Sequence, residues 1–338
     1  MQEQIIETQQ LQKTFKVRNR RGQVQYLEAV NDISLHVEAG EIFGFLGPNG
    51  AGKSTTLRML TTLLPPTGGQ ARIAGYDLLR EPDRVREHIG YVSQAGGVDK
   101  HATGRENLLL QAQLYGMSYR EALKRTNEVL SLLEMEKIAD LFARMYSGGQ
   151  RRRLDLGLGI VHRPLLLFLD EPTTGLDPQS RSQLWEEVRR LRALGTTIFL
   201  TTHYLEEADF LADRLAIIDG GRIVAEGTPD GLKQQISGDI ITVNLNISAG
   251  DFQRAQEVLH GLAFVRALHL VQRPEMSQGD EKQLHIHVDH GEKRLPAVLR
   301  LLDQADLGVL TIGVVHPTLD DVFLRQIGRS LREASPLC

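Results

Sequence analysis

Gly47-Pro48-Asn49-Gly50-Ala51-Gly52-Lys53-Ser54 is the stretch on which the fold turns. It fits the pattern G-x-x-x-x-G-K-[ST], a loop whose glycines let backbone N–H groups crowd round phosphate oxygens. The apolar run Ile42 to Leu46 precedes it, and Leu57, Leu60 and Leu64 follow at helical spacing. The loop therefore lies between a strand and a helix, the context that this chemistry requires. The helix starting near Ser54 would add its positive end to the anion site. Lys53 would neutralise β- and γ-phosphates, the Ser54 hydroxyl would ligate Mg²⁺, and Thr55 extends the phosphate-binding set.

Two further strands end in polar chemistry. Leu165 to Leu169 runs into Asp170-Glu171, and Thr197 to Leu200 leads to His203. A buried strand that delivers a carboxylate at its C-terminal end places Asp170 in the Mg²⁺ shell and Glu171 where a general base would activate water. Ile33, Leu35 and Val37 alternate with polar residues, as an antiparallel strand with one solvated face does. Ala216 to Asp219, Gly220-Gly221 and Arg222 to Ala225 read as a hairpin. Between Thr103 and Arg163 the pattern is helical. The whole is an α/β arrangement, with antiparallel β and helical subdomains attached to the phosphate-loop core.

Length and charge narrow the classes. The 338 residues exceed what one core usually serves, so two domains are expected. Lys and Arg number 39 against 43 Asp and Glu, a net charge of -4, which gives no electrostatic case for nucleic acid. The longest strictly apolar run, Leu165 to Leu169, is far too short to span a bilayer, and the polar, acidic Met1 to Gln10 is no signal peptide. The single cysteine, Cys338, excludes a disulfide framework and a cysteine-based zinc site. A soluble cytosolic chain is expected. Arg151-Arg152-Arg153 reads as solvated helix charge, and Arg18, Arg20 and Arg21 as an exposed basic turn. His285, His287 and His290 read as the solvated side of a strand rather than a metal site.

Gly, Pro, Asp and Gln gather from Gly227 to Asp239, and beyond them the pattern restarts. Ile241, Val243, Leu245 and Ile247 alternate; Phe252 to Leu262 is helical; Phe264 to Val271 is a strand. After a polar loop through Pro274 and Gly279, the run Leu284, Ile286, Val288 alternates again. A helix from Arg294 to Leu302 and a strand from Val309 to Val315 complete the order βαββαβ, that of a ferredoxin-like unit. Thr318 and Asp321 then suggest a capped helix with the apolar stripe Leu319, Val322 and Phe323. The expected division is 1–237 for the α/β domain, with its helical subdomain at about 95–163. A smaller α+β, ferredoxin-like accessory or regulatory domain would occupy 238–338.

Ser147-Gly148-Gly149-Gln150, taken with Gln94, Asp177 and His203, makes the chain resemble the ATPase subunit of an ABC transporter from about Ile5 to Lys233. Tyr91-Val92-Ser93-Gln94 is similar to the Q-loop, Tyr146 to Arg151 to the signature, Gly175-Leu176-Asp177-Pro178 to the D-loop and His203 to the switch histidine. Tyr146 stands where the family usually has leucine. The resemblance implies two subunits, identical or closely related, paired head to tail, with ATP held between one P-loop and the other subunit's signature. Ser147, Gly148, Gly149 and Gln150 would then bind the opposite γ-phosphate, with Asp177 at the same interface. Gln94 would reach the metal and water, and His203 would hold the γ-phosphate. Phe15 matches the adenine-stacking aromatic, with Tyr26 as its rival.

The interval between Gln94 and Ser147 leaves no room for the coiled coil of a DNA-repair ATPase, and a translation-factor ATPase would carry two motif sets. A transport ATPase, peripheral to the cytoplasmic face of the membrane through a separate permease, is what the resemblance implies. Val98-Asp99, Thr103 to Leu108 and Pro317 to Leu324 look like the daunorubicin-resistance type of exporter. The alternative is an importer ATPase whose C-terminal domain senses substrate.

Overall fold

The computed structural model describes residues 4–18, 22–235, 238–245, 251–259, 262–272, 282–305 and 307–327. Arg20, Arg21, the loop through Pro274 and Gly279, Ile247 and Cys338 lie outside the described residues. The chain forms two compact units that divide between Pro229 and Asp230. That division precedes the expected boundary after residue 237, and the helix Pro229–Gln234 straddles it.

The first unit is organised by a six-stranded sheet. Its order is Arg222–Gly227, Arg214–Asp219, Ile42–Leu46, Thr197–Thr202, Leu166–Asp170, Ile89–Val92. Every neighbouring pair is parallel except the outer hairpin Arg214–Asp219/Arg222–Gly227. The three central strands are buried at every residue, which is why they read as apolar runs rather than as alternation. Alternation nevertheless separates the two faces. Phe43, Phe45, Phe168 and Phe199 pack into one core with Leu57 and Met59 of the helix Lys53–Leu60. Leu167, Leu169, Ile198 and Leu200 pack on the other face with Leu154 and Leu108. Phe199 lies opposite both Phe43 and Phe168 in register, with ring centroids 5.6 and 5.5 Å away. Such a cross-strand aromatic row pins the register of the strands that end at the site.

A four-stranded antiparallel sheet, in the order Val24–Glu38, Gln4–Arg18, Gly68–Ile73, Tyr76–Asp77, adjoins this core. Ile33, Leu35 and Val37 are buried as their alternation requires. The helical segment consists of Gly104–Leu114, Tyr119–Leu132 and Gly148–Ile160, each opened by a capping box. The phosphate-loop helix is shorter than the leucine spacing suggested. It stops at Leu60, because Thr62 turns left-handed and Leu64 leaves the helical path.

The second unit has the expected βαββαβ order, and its strands pair as Val265–Gln272, Lys282–Val288, Asp239–Leu245, Val309–Val315, all antiparallel. Ile241, Val243, Leu284, Ile286 and Val288 face the core under the two helices, whereas His285 and His287 stay half-buried on the opposite face. The helix expected over 252–262 is Asp251–Leu259, and the one expected from Arg294 begins at Gly291. Asp239 explains the earlier start: its carboxylate accepts the Gly291 N–H at 2.5 Å from another element. The final helix, Leu319–Ile327, opens on the anticipated pair, with the Asp321 N–H donating to Thr318 Oγ1 at 3.3 Å. Among the described residues, no helix is long and apolar enough to cross a membrane.

Candidate functional site

Four neighbouring parallel strands deliver their chemistry at one sheet edge. Leu46 lies in register with Thr202, Asp170 with Thr201, and Val92 with Leu169. The residues just beyond those strand ends are the phosphate loop, Glu171, His203 and Gln94. A parallel sheet binds ligands outside the carboxyl ends of its strands, and this is that edge.

The loop is built for an anion. Gly50 and Gly52 adopt φ of +82 and +106, conformations that side chains resist. The helix Lys53–Leu60 has no side-chain N-cap bond and no acidic residue in its first turn, so its end N–H groups remain available. A cleft of about 220 Å³ opens there, lined by Asn49, Gly52, Lys53, Ser54, Gln94 and Glu171 among others.

Glu171 gathers the polar side chains of the cleft. Lys53 Nζ lies 3.3 Å from its Oε1, and His203 Nδ1 is 3.1 Å from its Oε2. Gln94 Nε2 and Thr174 Oγ1 each donate to Oε2 at 3.3 Å. Burial pushes this carboxyl up. The hydrogen bond from His203 and the Lys53 charge outweigh burial and hold it down to about 2. Lys53, only 4% exposed, is pushed down by burial and partly restored by Glu171. Its ammonium also donates to the carbonyls of Gly47 at 2.7 Å and Pro48 at 3.1 Å. The Glu171 backbone is left-handed, with φ of +45, a cost that surrounding structure must impose.

Beside it, Ser54 Oγ donates to Asp170 Oδ1 at 3.1 Å. One hydroxyl and one carboxylate, both hard oxygens, fit Mg²⁺, which takes few protein ligands and completes its shell with water and phosphate. Thr201, not singled out from the sequence, holds this pair in place. Its Oγ1 donates to Asp170 Oδ1 at 2.8 Å and accepts the Glu171 N–H at 3.1 Å.

Ser147 to Gln150 and Asp177 do not join this cleft. Ser147 caps the helix Gly148–Ile160: its Oγ accepts the Gln150 N–H at 3.2 Å, and Gln150 Oε1 accepts the Ser147 N–H at 2.9 Å. Asp177 caps the helix Pro178–Ala193 by accepting the Ser180 N–H at 2.9 Å. The two elements touch at Gly149, where a Cβ would come within 2.5 Å of Ser180 Oγ. Phe15 sits on the strand Gln4–Arg18 opposite Leu27 and is not among the residues lining the cleft; Tyr26 is 71% exposed. Tyr146, the departure from leucine, is buried and donates to the Ile138 carbonyl at 2.6 Å.

One expectation fails. Arg152 is not solvated helix charge but is buried, because its guanidinium donates to main-chain carbonyls at Ser93, Asp170 and Pro172. Nothing in its local sequence separates it from Arg151 and Arg153.

The sequence matches the ABC transporter family over residues 30–174, and the C-terminal domain of DrrA1-3-like ATP-binding proteins over 227–327. The daunorubicin/doxorubicin resistance ATP-binding protein DrrA of Streptomyces peucetius is 42% identical over 314 residues, covering 91% of this chain and 92% of that one. The chain belongs to the ABC transporter ATP-binding proteins. The linearmycin resistance ATP-binding protein LnrL of Bacillus subtilis (strain 168) is 36% identical, covering 90% of this chain and 95% of that protein. Among solved structures, a dimeric post-hydrolysis state of the ATP-binding cassette MJ0796, bound to ADP and Pi, superposes with a TM-score of 0.59 at 26% identity. It covers 66% of this chain and 98% of that one. This ABC ATPase therefore groups with drug- and antibiotic-resistance ATP-binding proteins, which favours the exporter reading over the importer alternative.

Proposed function

We propose that this ABC ATPase hydrolyses Mg²⁺-ATP to power export of an amphipathic drug or antibiotic through a separate membrane permease. Its place would be the cytoplasmic face of the membrane, held there by that permease. The convergence of Lys53, Gln94, Thr174 and His203 on Glu171, next to the Ser54–Asp170 pair, is the observation that supports the chemistry. Ser54 and Asp170 would hold Mg²⁺, with Gln94 at its edge; the ion would supply charge compensation for the phosphates. Glu171 is the base that takes the proton of the attacking water, and His203 positions the γ-phosphate. Lys53 and the N–H groups of Gly47 to Thr55 bind the phosphates, and Phe15 stacks on adenine.

A second subunit, identical or closely related, supplies Ser147 to Gln150 and Asp177 to each site. Two features support this reading. The signature lies at an exposed helix start outside its own cleft, and a related cassette has been solved as a dimer. Residues 1–237 form the ATPase domain, with 238–338 as the accessory domain that steadies the dimer.

Replacing the base tests the mechanism. Glu171→Gln should retain ATP binding while hydrolysis falls by about 10²–10⁴-fold. Turnover close to that of the parent would remove Glu171 from this role. The transport arm uses inverted vesicles carrying the permease and this ATPase, with ATP-dependent uptake of doxorubicin as the readout. Uptake should disappear in the same variant.

A further inference from the structure

Arg152 lies in the middle of the nucleotide site's scaffold, between the half-buried Arg151 and Arg153. The residue is 8% exposed, and its guanidinium donates to four main-chain carbonyls from two segments. Nε reaches Pro172 O at 2.6 Å, Nη1 reaches Ser93 O at 2.7 Å, and Nη2 reaches Asp170 O at 3.2 Å and Glu171 O at 3.4 Å. Each acceptor belongs to, or adjoins, a residue of the hydrolytic cleft. Ser93 immediately precedes Gln94, and Asp170 to Pro172 is the strained exit of the central strand. The rigid fork of a guanidinium can hold such acceptors in one geometry, which the point charge of an ammonium cannot.

One turn further along the same helix, Asp155 holds the far side of the glutamine loop. Its Oδ1 accepts the Gly97 N–H at 2.7 Å and the Val98 N–H at 3.2 Å. Gly96 must be glycine here: its φ is +78, and a Cβ would fall 2.7 Å from Asp155 Oδ2. The two side chains border a cleft of about 290 Å³, shared with Gln94, Gly148 and Gly175. The helix Gly148–Ile160 thus grips the loop bearing Gln94 at both ends and the loop bearing Glu171 at its carbonyls.

We propose that Arg152 and Asp155 are positioning residues. They fix Glu171 and Gln94 relative to the signature helix, so that a shift of that helix reaches the hydrolytic groups of the same subunit. The inference rests on Glu171 being the general base. A displaced base costs rate, while a phosphate loop left intact keeps its ligand, so the two residues act on kcat and spare ATP affinity.

The test is a double-mutant cycle on the full chain, with ATP hydrolysis, ATP binding by a fluorescent analogue and thermal unfolding measured in parallel. Arg152→Gln should lower kcat by about 10- to 100-fold and change the ATP dissociation constant less than about threefold. In a Glu171→Gln background the same substitution should cost several-fold less than the about 10- to 100-fold it costs alone, since one of its two targets is already gone. Additive losses, or an ATP affinity that falls in step with kcat, would overturn the proposal. Failure of the base assignment shows separately, as normal turnover of the Glu171→Gln single variant. Should Arg152→Gln not fold, Asp155 decides. Asp155→Ala should lower kcat at least about fivefold with KM held, and Asp155→Asn, whose amide oxygen still accepts both N–H groups, should restore most of it. Equal losses in the two Asp155 variants, or none in either, would overturn the proposal.

Discussion

Lys53 Nζ and Glu171 Oε1 stand 3.3 Å apart, with side-chain exposures of only 3% and 8%. The group that would neutralise phosphates thus pairs with the carboxylate proposed as the base. His203 and the Lys53 charge together hold this carboxyl down to about 2 against the burial that pushes it up. Because the folded carboxyl lies below its ordinary value of 4.5, ionised Glu171 stabilises the nucleotide-free protein above that value. The stabilisation is lost as pH falls from about 4.5 toward 2. Glu171→Gln should therefore melt below the parent at pH 7, by about 2–4 °C for each kcal/mol lost. That gap should narrow on acidification below about pH 4.5. Melting curves of both proteins across this range check the sign, and a gap that widens would contradict the ion pair.

The proposed sharing of sites between subunits makes a separate prediction. On the proposed arrangement, Lys53→Ala would remove the phosphate cation from a subunit's own cleft, and Ser147→Ala a hydroxyl that would serve the opposite one. Each variant alone should be inactive. A mixed dimer should hold one site with both defects and one with neither, so ATPase activity should return on mixing. Mixed dimers that demonstrably form yet hydrolyse nothing would show that the sites are not shared or must fire together.

Most of this site was legible because its residues follow strand ends contiguously. The loop from Gly47, the pair Asp170-Glu171 and His203 each sit directly after a run that had to be a buried parallel strand. Arg152 was illegible for the opposite reason. Its burial depends on carbonyls at Ser93 and at Asp170 to Pro172, which only the folded chain brings to it. Thr201 was missed likewise, since a threonine inside a strand reads as strand propensity until Asp170 appears opposite it. The start of the helix Gly291–Gln304 does not show in its local sequence, because the carboxylate that accepts the Gly291 N–H belongs to Asp239, on a distant strand. Local patterns carry the elements; caps and struts drawn from distant segments do not show in them.

The tyrosine at the usual leucine position has a steric partner that can be tested. Tyr146 Oη lies where a Cβ on Gly104 would stand, 2.3 Å away, and the Ala139 carbonyl is 3.3 Å from the same point. Gly104→Ala should destabilise the helical segment by about 1–3 kcal/mol through overpacking. Tyr146→Leu should itself cost about 1 kcal/mol, as the hydrogen bond to Ile138 O is lost. The double variant should recover much of the first loss, because the hydroxyl that clashed is gone. Denaturant unfolding of the three variants reads the coupling, and simple additivity would mean that the Ala139 carbonyl sets the penalty instead.

Phe323 offers a test of the terminal helix. It is fully buried, with Leu319 and Val322 on the same stripe, in a helix that the Thr318–Asp321 pair starts. Removing a buried phenylalanine costs about 3–5 kcal/mol, since the lost transfer energy is joined by a cavity. Removing the cap by Thr318→Ala should cost about 1 kcal/mol, since Thr318 Oγ1 accepts the Asp321 N–H. Both substitutions fall in the unit that begins at Asp230, whereas the phosphate loop belongs to the other. Calorimetry should therefore show a lowered transition for Phe323→Ala and a smaller shift for Thr318→Ala. ATP affinity at the phosphate loop should stay within about twofold of the parent in each, the spread expected for sites that share no partners. An unshifted transition in Phe323→Ala would mean that this helix contributes nothing to the C-terminal unit. A parallel loss of ATP affinity would mean that the two units fold as one.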